Sequence, residues 1–383
     1  MTRADGAGVL FLTAVTTAAL ALYLPLVEQP VEDAAILMRY VDHLANGHGM
    51  VYNLGEAPLD GATDFLFVVV CALAAKGMPL FAAVRTLSLL GHCGTVALVY
   101  LGLRRSNVSA IIATLVATGI AVGPGIAYVG GWFGTPFFAF WATLAAMAAV
   151  DVRQRRGGPL VAPLLAVAVL LLALTRPDGL WLGALIVALS RPDKRTLQWV
   201  ASVVGAFGIA YFAWHWWTFE QPLPHPYYKK GAGGFYATTW LRSCYHVAKM
   251  LWPLGLICLC APRSSRHLAA LVILWASCWG LLNDELNFQM RFQYAVFPVA
   301  WLFAGPVLSD LRQQRLAVGA TTAHVLNAMA CWMFTFGTTA SLGWSKDSAA
   351  DVGRFLAKKG GSERVLISTE AGLLPLTSGW TAI

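Results

Sequence analysis

The sequence predicts an all-α protein that crosses a membrane many times, and its composition supplies two of the observations behind this. Of the 383 residues, 58% are hydrophobic and only 12% are charged, and the mean hydropathy is +0.63. Soluble domains carry about 25% charged residues, so half that share along a whole chain is typical of a polytopic membrane protein. The 15 tryptophans and 11 tyrosines fit this class because their rings favour the membrane–water interface.

The third observation is a series of apolar runs near the length that spans a bilayer, about 17–25 residues. The first run is too long for the apolar region of a cleaved signal peptide. With the shorter runs included, about eleven spans are predicted. They cover residues 8–27, 84–103, 109–129, 136–150, 159–175, 180–190, 197–217, 250–261, 268–282, 294–308 and 316–342.

One further apolar run, residues 64–76, is too short to cross comfortably, and we expect a juxtamembrane or re-entrant helix there. With this assignment the basic loops all fall on the side of the N-terminus, which the positive-inside rule places in the cytoplasm. The net charge of +8 is then explained by topology, and binding to nucleic acid is not expected. The loops contain Arg104, Arg105, Arg153, Arg155, Arg156, Arg191, Lys194, Arg195, Arg263, Arg266, Arg312 and Arg315.

The first predicted outer loop, residues 28–63, gathers more acidic side chains than any other stretch of the chain. A charge at bilayer depth costs at least ~2.5–3.5 kcal/mol, so this loop must lie outside the hydrocarbon. We therefore expect the functional site on the extracytoplasmic face of a multi-pass plasma-membrane protein. The acidic residues are Glu32, Asp33, Asp42, Glu56 and Asp60, with Asp64 just beyond.

The composition changes near the end of the chain, and this predicts two regions. Residues 1–342 form the transmembrane domain, and residues 343–383 begin an extracytoplasmic α/β segment. That segment contains an amphipathic helix at 347–358 and a strand-like run at 364–369, and it stops in mid-pattern. It is either truncated or very small.

Glu32 and Asp33 open a helical stretch, and two interpretations of them stay open. A carboxylate near a helix N-terminus is stabilised by the exposed N–H groups, so the pair could simply stabilise the helix. Alternatively, one of them is a general base that takes a proton from a hydroxyl during sugar transfer. Arg39, Arg176, Lys229, Lys230 and Arg291 fall on the same predicted face, where they could bind a lipid phosphate or extend to the interface as isolated cations.

Metal binding is not predicted from spacing, although a divalent cation held by Glu32 or Asp33 is possible. His43, His48 and His225 are candidate ligands only if they meet in space. No cofactor is assigned to the chain.

Several short motifs follow one another along the chain. In the first half of the chain they are Glu32-Asp33-Ala34, Arg39-Tyr40, Asn46-Gly47-His48-Gly49, Val51-Tyr52-Asn53-Leu54-Gly55-Glu56, Gly61-Ala62-Thr63, Gly131-Trp132-Phe133-Gly134-Thr135-Pro136 and Leu174-Thr175-Arg176-Pro177-Asp178-Gly179. In the second half they are Leu223-Pro224-His225-Pro226-Tyr227-Tyr228-Lys229-Lys230, the stretch from Arg291 to Pro298, and Thr369-Glu370-Ala371-Gly372. Taken in this order, the motifs resemble those of GT-C glycosyltransferases that use polyprenyl-phosphate sugars, and they are most similar to the mycobacterial terminal arabinofuranosyltransferase-like family. The sequence departs from the family pattern at Glu32, Ala62 and Gly134, where the family has Asp, Tyr and Glu.

The resemblance implies an inverting transfer from a polyprenyl-phosphate sugar to a cell-envelope glycan or glycoprotein on the extracytoplasmic face. By position, Asp33 or Glu32 would be the base, and Arg176, Lys229, Lys230 and Arg291 would bind the donor phosphate. The residues expected to shape the loop and substrate site are Arg39, Tyr40, His48, Tyr52, Asn53, His225 and Tyr228. Two alternatives remain: a flippase or transporter of lipid-linked sugars, and an inactive GT-C-like scaffold.

Overall fold

A computed structural model describes residues 3–26, 29–230, 234–282, 287, 290–310, 314–341, 349–359, 364–367 and 371–382. The predicted boundary at 342/343, Arg312, Thr369 and Glu370 lie outside these ranges. The helices are α1 (Arg3–Tyr23), α2 (Glu32–Ala45), α3 (Phe65–Ala75), α4 (Leu80–Arg105), α5 (Ala110–Ala121), α6 (Gly125–Gly130), α7 (Thr135–Arg153), α8 (Val161–Thr175), α9 (Asp178–Ser190), α10 (Lys194–Phe219), α11 (His225–Lys230), α12 (Ala237–Cys260), α13 (Arg266–Leu281), α14 (Val296–Asp310), α15 (Gln314–Ser341), α16 (Ala349–Lys358) and α17 (Leu373–Ser378).

The predicted fold class, an all-α polytopic membrane protein, is confirmed. Within the described residues, six helical segments are long and apolar enough to cross a membrane: α1, α4, α5 with α6, α7, α10 and α12. Five shorter apolar helices accompany them, namely α3, α8, α9, α13 and α14. The run at 64–76 forms α3, an 11-residue helix that is short as predicted.

The clearest difference from the predicted spans is at α12, which begins at Ala237 rather than near residue 250. The early turns escape a hydropathy count because they are amphipathic. Thr239, Ser243 and Val247 are buried at four-residue spacing, so they share one face of the helix. On that face the Ser243 hydroxyl accepts a hydrogen bond from Gln293 Nε2 at 3.1 Å. Because these polar groups have hydrogen-bond partners inside the bundle, the helix extends into a stretch whose sequence is typical of a loop.

Three of the basic loops and the N-terminus lie at one end of the helical bundle. Arg104 Nε lies 2.6 Å from Asp5 Oδ1, and Arg105 lies 2.6 Å from Asp151 Oδ2. Arg153 donates to the Leu189 carbonyl, next to the loop that holds Arg191, at 3.1 Å. These pairs group the alternate loops on one side of the bundle, in the same pattern as the basic residues along the sequence.

Gly91 allows α4 and α7 to pack backbone against backbone. A Cβ at this position would lie 2.6 Å from the Phe137 nitrogen and 2.7 Å from the Pro136 carbonyl carbon. We expect Gly91→Ala to lower the free energy of unfolding by about 1–3 kcal/mol, the usual cost of overpacking. Thermal unfolding in detergent would measure the change. Gly205→Ala on α10 is the matched control, because a Cβ there meets nothing within 4 Å. Equal behaviour of the two variants would contradict this account of the contact.

The C-terminal segment is a small parallel βαβ unit docked on α2. Strands β1 (Val365–Leu366) and β2 (Thr381–Ala382) pair in parallel, and α17 connects them. Leu373 of α17 packs on Ala35 of α2 and on Ala350 of α16. A Cβ at Gly372 would collide with the Glu32 carbonyl, so glycine permits this close approach. The segment therefore sits against the first turn of α2, where the two candidate carboxylates lie.

Candidate active site

Asp33 and Arg291 form an ion pair at the start of α2. The residue before the helix, Val31, provides no side-chain cap, and Glu32 and Asp33 occupy the first turn. Asp33 Oδ2 accepts a hydrogen bond from Arg291, and the Asp33 side chain is 42% exposed whereas that of Arg291 is 8% exposed. The carboxylate is thus held by a buried cation and is still reachable from solvent.

Arg176 lies near this pair and is held from two sides. It follows the last residue of α8 with extended backbone. Its Nε donates to Asp178 Oδ1 at 3.0 Å, and one terminal nitrogen lies 3.4 Å from Asp64 Oδ1. Bidentate, hydrogen-bonded guanidinium groups are the side chains best suited to phosphate oxygens.

The ring of Phe292 joins the two arginines. The Arg176 guanidinium carbon lies 5.5 Å from the ring centroid, and that of Arg291 lies 5.0 Å from it. Arg291 also stacks on Phe133 at 4.5 Å, and Arg176 contacts Phe138 at 5.4 Å. Aromatic faces favour cations electrostatically and leave guanidinium edges available for oxygen ligands. The arrangement places two buried cations close together beside one accessible carboxylate.

Asp64 and Tyr227 complete the polar network around Arg176. The Tyr227 hydroxyl donates to Asp178 Oδ1 at 3.0 Å and accepts from the Asp178 backbone N–H at 2.9 Å. Burial raises the pKa of the Asp64 carboxyl, and the nearby guanidiniums of Arg176 and Arg291 oppose that rise. Asp64 therefore binds a proton more tightly than an ordinary aspartate.

The Glu32 side chain contacts the C-terminal segment. Its Oε1 accepts a hydrogen bond from the Ala371 backbone N–H at 3.0 Å. The Tyr52 hydroxyl donates to the Ala371 carbonyl. Of the two acids at the start of α2, Asp33 contacts a phosphate-binding candidate and Glu32 anchors the docked segment.

The first loop is bound to β2 and to the residue before it, Trp380, by hydrogen bonds that involve Arg39, Tyr52 and Asn53. Arg39 donates to the Tyr52 carbonyl at 2.6 Å and to the Asn53 side chain and the Trp380 carbonyl at 3.0 Å each. The Asn53 amide group donates to the Ala382 carbonyl at 2.9 Å and accepts from the Ala382 N–H at 3.2 Å. Burial lowers the pKa of Arg39. These residues shape the loop by fixing the backbone.

The remaining loop candidates make local contacts. The Tyr40 hydroxyl donates to the Leu59 carbonyl at 2.6 Å and accepts from the Gly61 N–H at 2.9 Å. His48 is exposed in a turn whose neighbours, Gly47 and Gly49, both have a φ of +83°. This left-handed backbone favours glycine.

The α11 candidates are less closely tied to the arginines. His225 donates its backbone N–H to the Asp60 carbonyl at 2.8 Å. Tyr228 is exposed, and its hydroxyl accepts from the Leu223 N–H at 3.2 Å. Lys229 is exposed on the same helix, and the Lys230 side chain lies outside the described part of the chain. Among the residues that the structure describes, no group of three or more His, Cys, Asp or Glu side chains could hold a metal ion.

Three site residues were not among the sequence candidates: Asp64, Asp178 and Tyr227. Asp178 follows Arg176 by two positions, a spacing that could have suggested their bond. Tyr227 and Tyr228 are adjacent in sequence, so only the turn of α11 decides which hydroxyl faces the network. Asp64 looks in sequence like the polar end of an apolar helix, and nothing there predicts its pairing with Arg176.

Comparison with known proteins gives the class of fold. No family profile matches the sequence, and no curated protein matches it. The three-dimensional arrangement is similar to that of a solved membrane protein. A solved structure with this fold is ArnT from Cupriavidus metallidurans bound to undecaprenyl phosphate, which superposes with a TM-score of 0.62. The match covers 98% of this chain and 85% of ArnT at 12% sequence identity, so it establishes the fold.

Proposed function

We propose that this chain is an integral membrane glycosyltransferase that moves a sugar from a polyprenyl-phosphate donor to a hydroxyl acceptor. The observation that carries the proposal is the grouping of Asp33 with Arg291 and Arg176. A reachable carboxylate and two buried guanidiniums around one aromatic ring are the parts that such a transfer requires. The GT-C fold, shared with a protein whose structure holds undecaprenyl phosphate, supports the choice of donor.

In the proposed reaction Asp33 is the general base. It accepts the proton of the acceptor hydroxyl as that oxygen forms a bond to the anomeric carbon. The bond from the anomeric carbon to the phosphate oxygen breaks, and its electron pair stays on the phosphate. Arg291 and Arg176 stabilise the added negative charge on the leaving group. Attack opposite the leaving group inverts the anomeric centre.

The finer parts of the proposal come from the sequence. A cell-envelope glycan or glycoprotein is the proposed acceptor, and the mycobacterial arabinofuranosyltransferase-like family is the proposed relative. We place the site on the extracytoplasmic face and the N-terminus in the cytoplasm, on the positive-inside pattern. Residues 1–342 would form the transmembrane domain, with 343–383 as the docked C-terminal part. Lys229 and Lys230 remain proposed phosphate ligands that approach from α11.

Mass spectrometry of lipids that purify with the protein tests the donor class directly. We expect a polyprenyl phosphate or its sugar ester with the wild-type chain, reduced by about tenfold to a hundredfold in Arg291→Met, since a charge-assisted hydrogen bond contributes about 1.5–3 kcal/mol. Arg195→Met, at an exposed arginine near the start of α10, is the matched control and should retain the lipid. Recovery of phospholipids alone from the wild type would contradict the proposal.

A further inference from the structure

Asp64 is a buried carboxyl that the proposed reaction leaves without a role. Its side chain fills the space above Gly134, where any Cβ would collide with Asp64 Oδ2 and lie 3.0 Å from Phe67 Cδ1. The residue is 4% exposed, and Thr63 donates to Oδ1 at 3.2 Å. The absence of a side chain at Gly134 thus lets a carboxyl approach Arg176 at a different nitrogen from the one that Asp178 contacts.

The carboxylates in this network already outnumber its guanidiniums, so an added anion would not be neutralised. Three carboxylates, those of Asp33, Asp64 and Asp178, face the two guanidiniums of Arg176 and Arg291. A phosphate that binds both arginines therefore brings a negative charge against acids that already neutralise them. Like charges at short range disfavour the ionised form of one of them.

Asp64 is the acid that can yield most easily. Asp178 accepts hydrogen bonds from both Arg176, at 3.0 Å, and the Tyr227 hydroxyl. Asp33 is partly exposed to solvent. Asp64 makes the longer of the two ion pairs to Arg176, at 3.4 Å against 3.0 Å for Asp178, and is shielded from solvent. A buried carboxyl with a loose partner loses least when it becomes neutral.

We propose that Asp64 takes up a proton when the phosphate of the lipid donor binds. The terminal nitrogen of Arg176 that contacts Asp64 then binds the phosphate instead. This inference rests on the proposed function and assigns Asp64 as a positioning residue for Arg176. Once neutral, the carboxyl offers an O–H donor on the phosphate side of the site.

The groups that face Asp64 set the sign of the pH dependence. They are Arg176 and Asp178 from the α8–α9 junction, Arg291 from the segment before α14, and the Cys71 thiol from α3. Burial already raises the Asp64 pKa in the free site, and a bound anion raises it further. Between the free and bound pKa values, binding takes up a proton, so affinity falls by up to about tenfold per pH unit as the pH rises. Below both values affinity no longer depends on this group.

Calorimetry with a non-titrating probe tests the inference. The probe is a phosphodiester with one short isoprenyl group and one methyl group. It keeps one negative charge from about pH 4 to about pH 8, in contrast to a monoester, whose second pKa is near 6. Titrations of the full chain in detergent, in two buffers of different ionisation enthalpy, give the number of protons bound per probe. We expect net proton uptake and a dissociation constant that rises with pH for the wild type.

Asp64→Asn should bind the probe without that proton uptake and with a pH-independent dissociation constant. Asp42→Asn, a carboxylate on α2 outside the network, should retain the wild-type uptake. Uptake that is absent in the wild type, or unchanged in a folded Asp64→Asn, would overturn the inference and leave the proposed function standing. A wild-type chain that does not bind the probe would overturn both. If Asp64→Asn fails to fold, the proton uptake of the wild type is compared with that of Gly134→Ala, in which the added Cβ crowds the Asp64 carboxyl. Equal proton uptake by the two proteins would then overturn the inference.

Discussion

Asp33→Asn is expected to abolish sugar transfer while the protein stays folded and still binds its lipid phosphate. The amide has nearly the shape of the carboxylate but cannot take up the acceptor proton, and general-base catalysis contributes about 10²–10⁴-fold. Binding of the lipid phosphate should persist or become tighter, because Arg291 loses a competing anion. Transfer of radiolabelled sugar from purified lipid donor, together with lipid binding by the same sample, measures both effects.

Glu32→Gln is the matched comparison for Asp33→Asn. Glutamine keeps an oxygen that can accept the Ala371 N–H, so the docked C-terminal segment should remain in place. We expect a loss of transfer below about tenfold, far less than loss of a general base. Near-normal turnover by Asp33→Asn would remove Asp33 from the mechanism, and a larger loss in Glu32→Gln would make Glu32 the base.

Arg176→Met is expected to have the largest effect on stability. It leaves the buried carboxylates of Asp64 and Asp178 without their cation, and breaking a buried ion pair from one side costs about 3–5 kcal/mol. Denaturant or thermal unfolding in detergent measures the loss, with the exposed Arg195→Met as the control. Part of the stability should return in Asp64→Asn with Arg176→Met, since the double change removes one unpaired charge. Full wild-type stability of Arg176→Met would show that the network is not held together by its cation.

Much of the fold follows from the sequence because bilayer thickness dictates helix length. Ten of the predicted spans coincide closely with helices or helix pairs, and the short run at 64–76 is a short helix. The exception, α12, buries Ser243 and Thr239 against other helices. Hydropathy reports the cost of polar groups in lipid and has no information about partners inside the bundle, so the start of this helix could not be predicted.

Part of the candidate site could be predicted at the level of residue type. Asp33, Arg176 and Arg291 were all candidates. The structure groups the two arginines around Phe292 and pairs Asp33 with Arg291. The pairing of Arg39 with Trp380 and the approach of Asp64 to Gly134 depend on how distant segments pack, which no local pattern encodes. The catalytic and phosphate-binding roles remain predictions for the experiments above.

The hydrogen bonds between Asn53 and Ala382 join residues 329 positions apart, and this constrains the order of biogenesis. The first loop leaves the ribosome long before its partners, so it must wait, unmatched, while the later helices insert into the bilayer. Arg291 is also made after the first loop, and Asp33 therefore lacks this cation until Arg291 has been synthesised. A partly synthesised chain thus exposes its acidic loop before the contacts that hold it, those with Arg291 and Ala382, can form.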